Sequence, residues 1–356
     1  MGIFVYCLLF CMCIIFSIKA NRTENKKYLW AIVIMMTFVA GFRGNDVGID
    51  TQSYIKIFGL LSKGQMQYVY GIEQQFKIFV TLLLHVINSP TFIFVICSAI
   101  IYGFIIFRLW DYRKVASFSW MVTVFYTIYY FMTLNIMRQF CAVAIIFYAT
   151  RYLEKKNYKM FLLFIGMAFV FHNTALMGIV FFVIEITQWN NITKKQRLLL
   201  IAMIGTIPLI MPYVLLKMSA YRNYFSMNIS DVGIMLIFKM LIYLISGLGL
   251  CFAVYMKNSE FTFKQIKYKI NTVRIYYLLG IFLTGLGYFF KYMDRVGLIF
   301  YIFECVYWGI IVKNGKYIGV YKLILSVLLL FIFVTSMSGN GQGQLPYLFV
   351  WQQTIR

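Results

Sequence analysis

Charged residues are scarce in this sequence of 356 amino acids. They make up 12% of the chain, whereas hydrophobic residues make up 62%, and a soluble domain usually carries about 25% charged residues. Proline is also rare, with four residues, and no long polar stretch divides the chain. The scarcity of charge excludes an ordinary soluble globular protein. The lack of a polar linker predicts a single transmembrane domain over 1–356.

Motifs of the common enzyme classes are missing as well. The sequence has no Walker loop, no zinc-ligand spacing, no nucleophile elbow and no dinucleotide fingerprint. All of its cysteines lie inside apolar segments, where cysteine behaves as a small hydrophobic residue: Cys7, Cys11, Cys13, Cys97, Cys141, Cys251 and Cys305. We therefore expect no bound metal and no cofactor.

Basic residues, by contrast, are abundant, since 33 Lys and Arg face 11 Asp and Glu. Most of them lie in short connections between apolar segments, where Lys and Arg orient a membrane protein. Nucleic-acid binders instead gather such residues on a polar surface, so a nucleic-acid partner is not expected. The apolar segments predict an all-α polytopic membrane protein of about 12 transmembrane helices, with both termini outside.

Polar segments on the outer side follow from this orientation, because the basic connections belong in the cytoplasm. They are the loop 43–75, the loop 217–232 and the tail 337–356, which is predicted to be flexible. Directly after the first loop, the apolar stretch 76–88 is too short to span a bilayer. It is therefore predicted to be an interfacial or re-entrant helix on the outer side.

The two histidines of the sequence differ in their surroundings. His85 lies among leucines in the short helix, and we interpret it as a packed or interfacial residue. His172 interrupts the apolar stretch Met160–Ile186, between two basic segments. This arrangement predicts a hairpin of two short helices with His172 at its outer tip, and a single long helix is the alternative. For His172, ligand contact and local capping both remain open.

Several arginines remain on the outer side, although the positive-inside bias acts against them. Charges at a membrane edge are costly and therefore mark candidate functional residues. A guanidinium stays charged and binds phosphate oxygens in a bidentate manner, and in a membrane the available phosphates are lipid head groups and polyprenyl pyrophosphates. The pattern predicts an anion-binding site at the outer face built from Arg43, Arg138, Arg222 and Arg295.

Carboxylates accompany two of these arginines. Asp46 and Asp50 follow Arg43 in a segment whose glycines permit tight turns. Asp294 directly precedes Arg295, where it either neutralises this arginine or holds it in place for a ligand. The turns could aim Asp46 and Asp50 back toward the membrane, and a hydrogen-bonded loop cap is the alternative for this segment.

Five short motifs occur in order along the chain: Arg43-x-x-Asp46-x-Gly48-x-Asp50-Thr51-x-x-Tyr54, Asn135-x-x-Arg138-Gln139, His172-x-Thr174-Ala175, Asp294-Arg295 and Pro346-Tyr347. Together they resemble the EpsG/Wzy-type polysaccharide polymerases over nearly the whole chain. The sequence departs from the family pattern in two places. Thr174 stands where serine is commoner, and Gln74 follows Glu73 where proline is usual, which leaves the role of Glu73 undetermined.

The resemblance implies a multi-span glycosyltransferase of GT-C-like architecture in the inner (cytoplasmic) membrane of a bacterium. Such an enzyme joins oligosaccharide repeat units carried on undecaprenyl pyrophosphate into O-antigen, capsule or exopolysaccharide. It works at the periplasmic or extracellular face, with lipid-linked donor and acceptor, and a separate chain-length regulator is a further potential partner.

Residue roles follow from the same resemblance. Pyrophosphate binding is assigned to Arg138, Arg43, Arg295 and Arg222, and proton transfer to one of Asp50, Asp46 and His172. Substrate binding is assigned to Gln139, Asn135, Tyr54, Asp294 and Tyr347. No metal is required if arginines stabilise the leaving pyrophosphate.

Three other functions compete with polymerisation. A flippase or transporter of lipid-linked oligosaccharide would spread charges along a cavity between pseudo-symmetric halves, and no internal repeat is visible. A membrane O-acyltransferase would use His172 but leaves the outer arginines unexplained. An O-antigen ligase would carry a large outer loop late in the chain, where the sequence has short connections.

Overall fold

The computed structural model describes residues 2–186, 264–286, 293–314 and 318–352. Arg222, the loop 217–232 and the apolar segments on either side of that loop lie outside the described residues. Within these ranges the protein is helical, and its strand-like pairing consists of the bridge between Arg43 and Phe349.

Fourteen α-helices are present in the described ranges. They are α1 (Gly2–Thr23), α2 (Lys27–Gly41), α3 (Thr51–Ser62), α4 (Gln74–Val86), α5 (Pro90–Asp111), α6 (Phe118–Val124), α7 (Tyr130–Thr133), α8 (Met137–Glu154), α9 (Tyr158–Phe171), α10 (Ile179–Ile186), α11 (Lys264–Leu286), α12 (Met293–Tyr301), α13 (Glu304–Asn314) and α14 (Ile318–Gly339). A π-helical turn, Phe125–Tyr129, joins α6 to α7, and 3₁₀ turns cover Met66–Tyr68, Asn173–Gly178 and Val350–Gln352.

Four helical segments of the described chain are long and apolar enough to cross a membrane: Gly2–Thr23, Pro90–Asp111, Met293–Asn314 and Gly319–Gly339. The predicted count of about 12 is therefore not confirmed. Several other apolar helices are shorter. At 1.5 Å per residue, the 15 residues of α2 extend about 22 Å, less than the roughly 30 Å of a bilayer core.

Neighbouring helices pack in an order that places α8 near the centre. α5 lies between α2 and α8, α8 packs against α9, and α1 packs against both α2 and α6. Both faces of α8 are consequently buried, and most of its residues from Phe140 to Ala149 are inaccessible. The first turn of α8 carries Arg138 and Gln139, so this packing fixes the position of both residues.

The apolar stretch around His172 forms the predicted hairpin. α9 ends at Phe171, a 3₁₀ turn follows, and α10 runs back along α9. Ring contacts between Tyr158 and Phe182, whose centroids are 5.3 Å apart, show the antiparallel return. The hairpin prediction is confirmed, and the alternative of one long helix is wrong, because His172 adopts an extended conformation (φ −161°, ψ 137°) that ends α9.

The outer loop 43–75 contains a helix that composition alone did not indicate. α3 buries Tyr54, Phe58 and Leu61, which recur at the helical spacing of four and three residues. The following helix, α4, covers 74–86 rather than the predicted 76–88. Loop 43–75 is thus a folded segment that leads directly into α4.

The tail after α14 was predicted to be flexible, and this prediction is wrong for the part that the structure describes. Its backbone is hydrogen-bonded to the 42–50 segment: the Gly48 amide donates to the Gly343 carbonyl (2.7 Å), and the Gly44 amide donates to the Leu348 carbonyl (2.7 Å). The Tyr347 hydroxyl donates to the Val39 carbonyl at 2.8 Å. These bonds fasten the tail over the loop that carries Asp46 and Asp50.

Candidate functional site

Arg138 forms an ion pair with Glu73 at the beginning of α8. Its Nη1 donates to Glu73 Oε2, and the Glu73 side chain is only 6% exposed. A cation in the first turn of a helix is opposed by the helix dipole, which favours anions there, and α8 has no acidic residue in its first turn. Glu73, reaching from α4, supplies the missing negative charge.

Glu73 is able to reach Arg138 because its side chain does not cap its own helix. It occupies the N-cap position of α4 with an extended backbone (φ −62°, ψ 138°), and it makes no side-chain capping bond. The backbone carbonyl of Glu73 instead accepts the amides of Phe76 and Lys77, both at 3.1 Å. The carboxylate is therefore directed away from α4 toward α8 and the hairpin turn.

His172 lies on the other side of the same carboxylate. Its Nε2 is 3.6 Å from Glu73 Oε1, and the Asn173 amide donates to that oxygen at 3.4 Å. The His172 Nδ1 accepts the Thr174 backbone amide at 3.2 Å. Because Nδ1 is an acceptor, the proton of the neutral ring is on Nε2 and faces Glu73.

Burial lowers the pKa of His172 to about 4. The nearby Glu73 carboxylate acts in the opposite direction, and the positive charges of Arg138 and Arg295 lower the pKa further. His172 is therefore neutral at neutral pH. α12, which carries Arg295, packs against the hairpin turn.

A second contact ties α4 to the hairpin. The side-chain amide of Gln75 donates to Asn173 Oδ1 at 2.7 Å and to the Phe169 carbonyl at 3.1 Å. These bonds join α4 to the end of α9 and to the turn that follows it, so they fix the distance between Glu73 and the His172 turn.

Tyr54 completes the surroundings of Arg138. Its phenol lies within hydrogen-bonding reach of the guanidinium, and burial raises the pKa of this phenol. Asp50 precedes Tyr54 by one helical turn, and its carbonyl accepts the Tyr54 amide at 3.0 Å. We refer to Glu73, Arg138, His172 and Tyr54 as the Glu73 cluster.

Gln139 links the Glu73 cluster to α12. Its side-chain amide donates to the Arg295 carbonyl, and Gln139 itself is 2% exposed. One buried atom on each of these consecutive residues, Gln139 Oε1 and Arg138 Nε, has no hydrogen-bond partner among the described residues. Buried polar groups are normally paired, so these two atoms are where the polar groups of a ligand would find partners.

Arg43 has a different environment from Arg138. It is 2% exposed, and its guanidinium donates to Thr51 Oγ1 (3.1 Å), the Ala40 carbonyl (2.5 Å) and the Leu134 carbonyl (3.1 Å). It also lies 4.3 Å above the ring centre of Phe94. Arg43 thereby connects the 43–51 segment to the turn that precedes α8.

Asn135 is at the centre of that turn. Its side-chain Nδ2 donates to the backbone carbonyl (3.0 Å) and to the side-chain Oε1 (2.5 Å) of Gln342. Its Oδ1 accepts the backbone amide of Asp50 at 3.4 Å. Gly48 adopts a φ of +95°, and a Cβ at this position would be 3.1 Å from Asn135 Oδ1. Glycine at position 48 therefore meets both a conformational and a steric requirement.

The structure brings together some of the predicted site residues and separates others. Arg138 and His172 meet at Glu73, and Tyr54 lies beside Arg138. Gln139 bonds to the Arg295 carbonyl, and Asp50 lies one turn from Tyr54. Asp46 is exposed on the loop and accepts a bond from Gln52 at 2.8 Å, and Asp294 is also exposed. Tyr347 and Arg43 form part of the buried packing beneath the loop.

Glu73 is the main site residue that the sequence analysis did not assign, and Gln75 and Gln342 were also missed. The available signal was an acidic residue at the start of a short apolar helix, which one sequence does not connect to an arginine 65 positions later. No group of three or more metal-ligating side chains occurs in the described part of the chain.

Comparison with known families gives one match. A family model described as the EpsG family matches residues 26–349, which confirms the resemblance carried by the five motifs. The matched range contains the whole Glu73 cluster. No curated protein and no solved structure matches the chain.

Proposed function

Since the chain belongs to the EpsG family of polysaccharide polymerases, we propose that it joins oligosaccharide repeat units carried on undecaprenyl pyrophosphate. The observation that carries this proposal is Arg138, a mostly buried arginine whose Nε has no partner among the described residues; the Oε1 of Gln139, the following residue in α8, is also unpartnered there. A pyrophosphate oxygen and a sugar hydroxyl are the groups that would satisfy these two atoms.

The proposed reaction transfers a glycan from its lipid pyrophosphate to an acceptor sugar. A hydroxyl of the lipid-linked acceptor attacks the anomeric carbon of the donor, the bond from that carbon to the pyrophosphate oxygen breaks, and the lipid pyrophosphate leaves with the electron pair. Negative charge accumulates on the leaving group in the transition state, and positioned guanidinium groups stabilise it there. Arg138 and Arg295 fill this role, with Arg222 as a further contributor.

Arg43 has a supporting role in this proposal. Three of its donors are already bonded within the protein, so it holds the 43–51 segment in register with α8. Among the substrate-binding residues, Gln139 and Tyr54 flank Arg138 directly. Asn135 and Tyr347 shape the loop from beneath, and Asp294 is exposed beside Arg295.

The acceptor hydroxyl must also lose its proton, and Asp50 is our candidate for the group that accepts it. Its carboxylate is partly exposed and close enough to influence the Tyr54 phenol, which lies beside Arg138. Asp46 is further along the loop and is engaged with Gln52. His172 has one ring nitrogen bonded to Thr174 and the other facing Glu73, which argues against it as the base and against an O-acyltransferase.

The proposed location of the site is the outer face of a bacterial cytoplasmic membrane. α8 carries Arg138 at one end and Glu154 at the other, about 24 Å away at 1.5 Å per residue. At the Glu154 end, Arg108 pairs with Glu154 and Asp111, and the basic connection Lys155–Lys159 follows, which favours the cytoplasmic side. The Glu73 cluster is then on the opposite side.

Complementation of a polymerase-deletion strain tests the proposal. Surface polysaccharide is compared for wild type, Arg138→Ala and the exposed control Lys63→Ala, with equal membrane expression verified. We expect a ladder of polymer from wild type and Lys63→Ala. Arg138→Ala should leave single repeat units with polymer below about 1% of wild type, since one lost transition-state donor costs a factor of 10² to 10³.

Two results would contradict the proposal. Wild type that restores no ladder would exclude polymerisation of these repeat units. Single units that fail to reach the surface of the deletion strain would instead indicate transport of lipid-linked oligosaccharide as the missing step.

A further inference from the structure

We infer that Glu73 is the positioning residue of this site, which holds the guanidinium of Arg138 in place, and that His172 acts through Glu73 rather than on the reacting atoms. The inference rests on the proposed polymerase function and concerns how its anion site is organised. It assigns a role to a residue for which the motif pattern gave none.

The first support is that Glu73 is enclosed. Its side chain is nearly inaccessible, and its two oxygens have separate contacts: Oε2 binds Arg138, while Oε1 faces the His172 ring and accepts the Asn173 amide. A carboxylate with both oxygens engaged and almost no exposed surface does not reach a substrate. Its effect on the reaction must pass through Arg138.

The second support is a continuous series of contacts that leads from the hairpin turn to α8. The Thr174 amide fixes the His172 ring, the His172 Nε2–H and the Asn173 amide face Glu73, and Glu73 holds Arg138. Gln75 fastens α4 to the same hairpin turn. Three helices thus determine the position of one guanidinium, which is the condition for a pre-organised anion site.

The third support is the edge of Arg138 that Glu73 leaves open. Glu73 engages Nη1, whereas Nε has no partner among the described residues. A guanidinium carries five N–H donors in a fixed plane, so fixing Nη1 also fixes the direction of the remaining donors. Glu73 therefore orients Arg138, while donors remain for a phosphate oxygen.

His172 is the residue that separates this inference from a general-base mechanism. The amide nitrogen of glutamine lies close to the position of histidine Nε2, so His172→Gln keeps a donor toward Glu73 but has no basic nitrogen. His172→Phe keeps the size of the ring and removes both functions. A base would be lost in both variants, whereas a donor to Glu73 is lost only in the phenylalanine variant.

The test uses the full chain purified into lipid nanodiscs, with synthetic undecaprenyl-pyrophosphate-linked repeat units of the cognate structure as donor and acceptor. Initial rates are measured against substrate concentration for wild type, Glu73→Gln, Glu73→Asp, His172→Gln and His172→Phe. Gln74→Ala is the matched control, because Gln74 is the exposed neighbour of Glu73 at the same helix start.

For Glu73→Gln we expect kcat to fall by about 10- to 100-fold with a smaller change in KM, because misplacing a catalytic group by about 1 Å costs up to a factor of 10². Glu73→Asp should recover part of the loss, since it retains the charge. His172→Gln should stay within about threefold of wild type and His172→Phe should fall about tenfold, on the same positional argument. The pH–rate profile of His172→Gln should match that of wild type between pH 6 and 8.

Wild-type kcat in Glu73→Gln would overturn the inference, and so would equal inactivity of His172→Gln and His172→Phe with a changed pH profile. If Glu73→Gln does not fold, Glu73→Asp decides: an undiminished kcat overturns the inference and a reduced kcat supports it. A wild-type protein that makes no polymer would count against the proposed function itself.

Discussion

At the scale of single residues, the Glu73 cluster shows what one sequence reveals about a site. Arg138, Tyr54 and His172 were each predicted as site residues on the outer side; Arg138 and His172 meet at one carboxylate, and Tyr54 lies beside Arg138. That carboxylate itself could not be assigned, because charge complementarity between distant residues becomes visible only when the chain is folded. Likewise, the two motifs that contain Arg43 and Arg138 do not reveal that Arg43 is bonded internally, whereas Arg138 retains an unpartnered atom among the described residues.

The buried His172 makes stability depend on pH in a specific window. Burial lowers its pKa from 6.5 to about 4, so the unfolded chain binds a proton at a higher pH than the native protein. The contribution is fully present above pH 6.5 and is lost as the pH falls from 6.5 toward 4. Thermal unfolding in one detergent at pH 7 and pH 5 should therefore show a larger decrease for wild type than for His172→Gln. Equal decreases would contradict this prediction, since the other titrating groups are common to both proteins.

At the scale of elements, local sequence signals predicted some helices and missed others. The hairpin at His172 and the short helix after loop 43–75 were predicted, because a polar interruption and a short apolar stretch are local signals. α3 was missed because polar residues dominate 43–75, although Tyr54, Phe58 and Leu61 carry the helical spacing. The fastening of the tail to the 42–50 segment was not predictable, because backbone bonds between distant segments have no side-chain signature.

Gly48 provides a test of the loop as a structural element. Alanine at this position would have to adopt a φ of +95° and would place Cβ 2.9 Å from Thr51 Oγ1 and 3.1 Å from Asn135 Oδ1. Gly64 has a φ of +71°, and an alanine Cβ there would have no atom within 4 Å, so Gly64→Ala isolates the conformational cost, which is about 1 kcal/mol. Gly48→Ala should therefore lower polymer yield and the unfolding temperature more than Gly64→Ala. Indistinguishable variants would show that the close packing under the loop is unimportant.

At the scale of the whole molecule, the helical membrane character followed from composition, whereas the number of spans did not. Several apolar helices are shorter than a bilayer core, and hydropathy does not distinguish a short buried helix from a tilted or broken span. The two ends of α8 nevertheless differ. The Glu73 cluster lies at its start, and the Arg108–Glu154 pair and the basic connection lie at its end.

The orientation of these two ends can be measured by labelling single cysteines. In a background without the native cysteines, Lys63→Cys should react with a membrane-impermeant maleimide in intact spheroplasts, whereas Lys155→Cys should react only after permeabilisation. Both positions are exposed in the structure, so access to the reagent depends on the side of the membrane. The reverse pattern would place the Glu73 cluster in the cytoplasm.

The bonds between Gly48 and Gly343, and between Asn135 and Gln342, also set an order of assembly during synthesis. Almost 300 residues separate Gly48 from Gly343. At about 5–20 residues per second, the 42–50 segment waits on the order of 15–60 s in the membrane for the segment that fastens it. The loop that carries Asp46 and Asp50 therefore reaches its final shape only after nearly the whole chain has been inserted, so the candidate site is incomplete in the nascent protein.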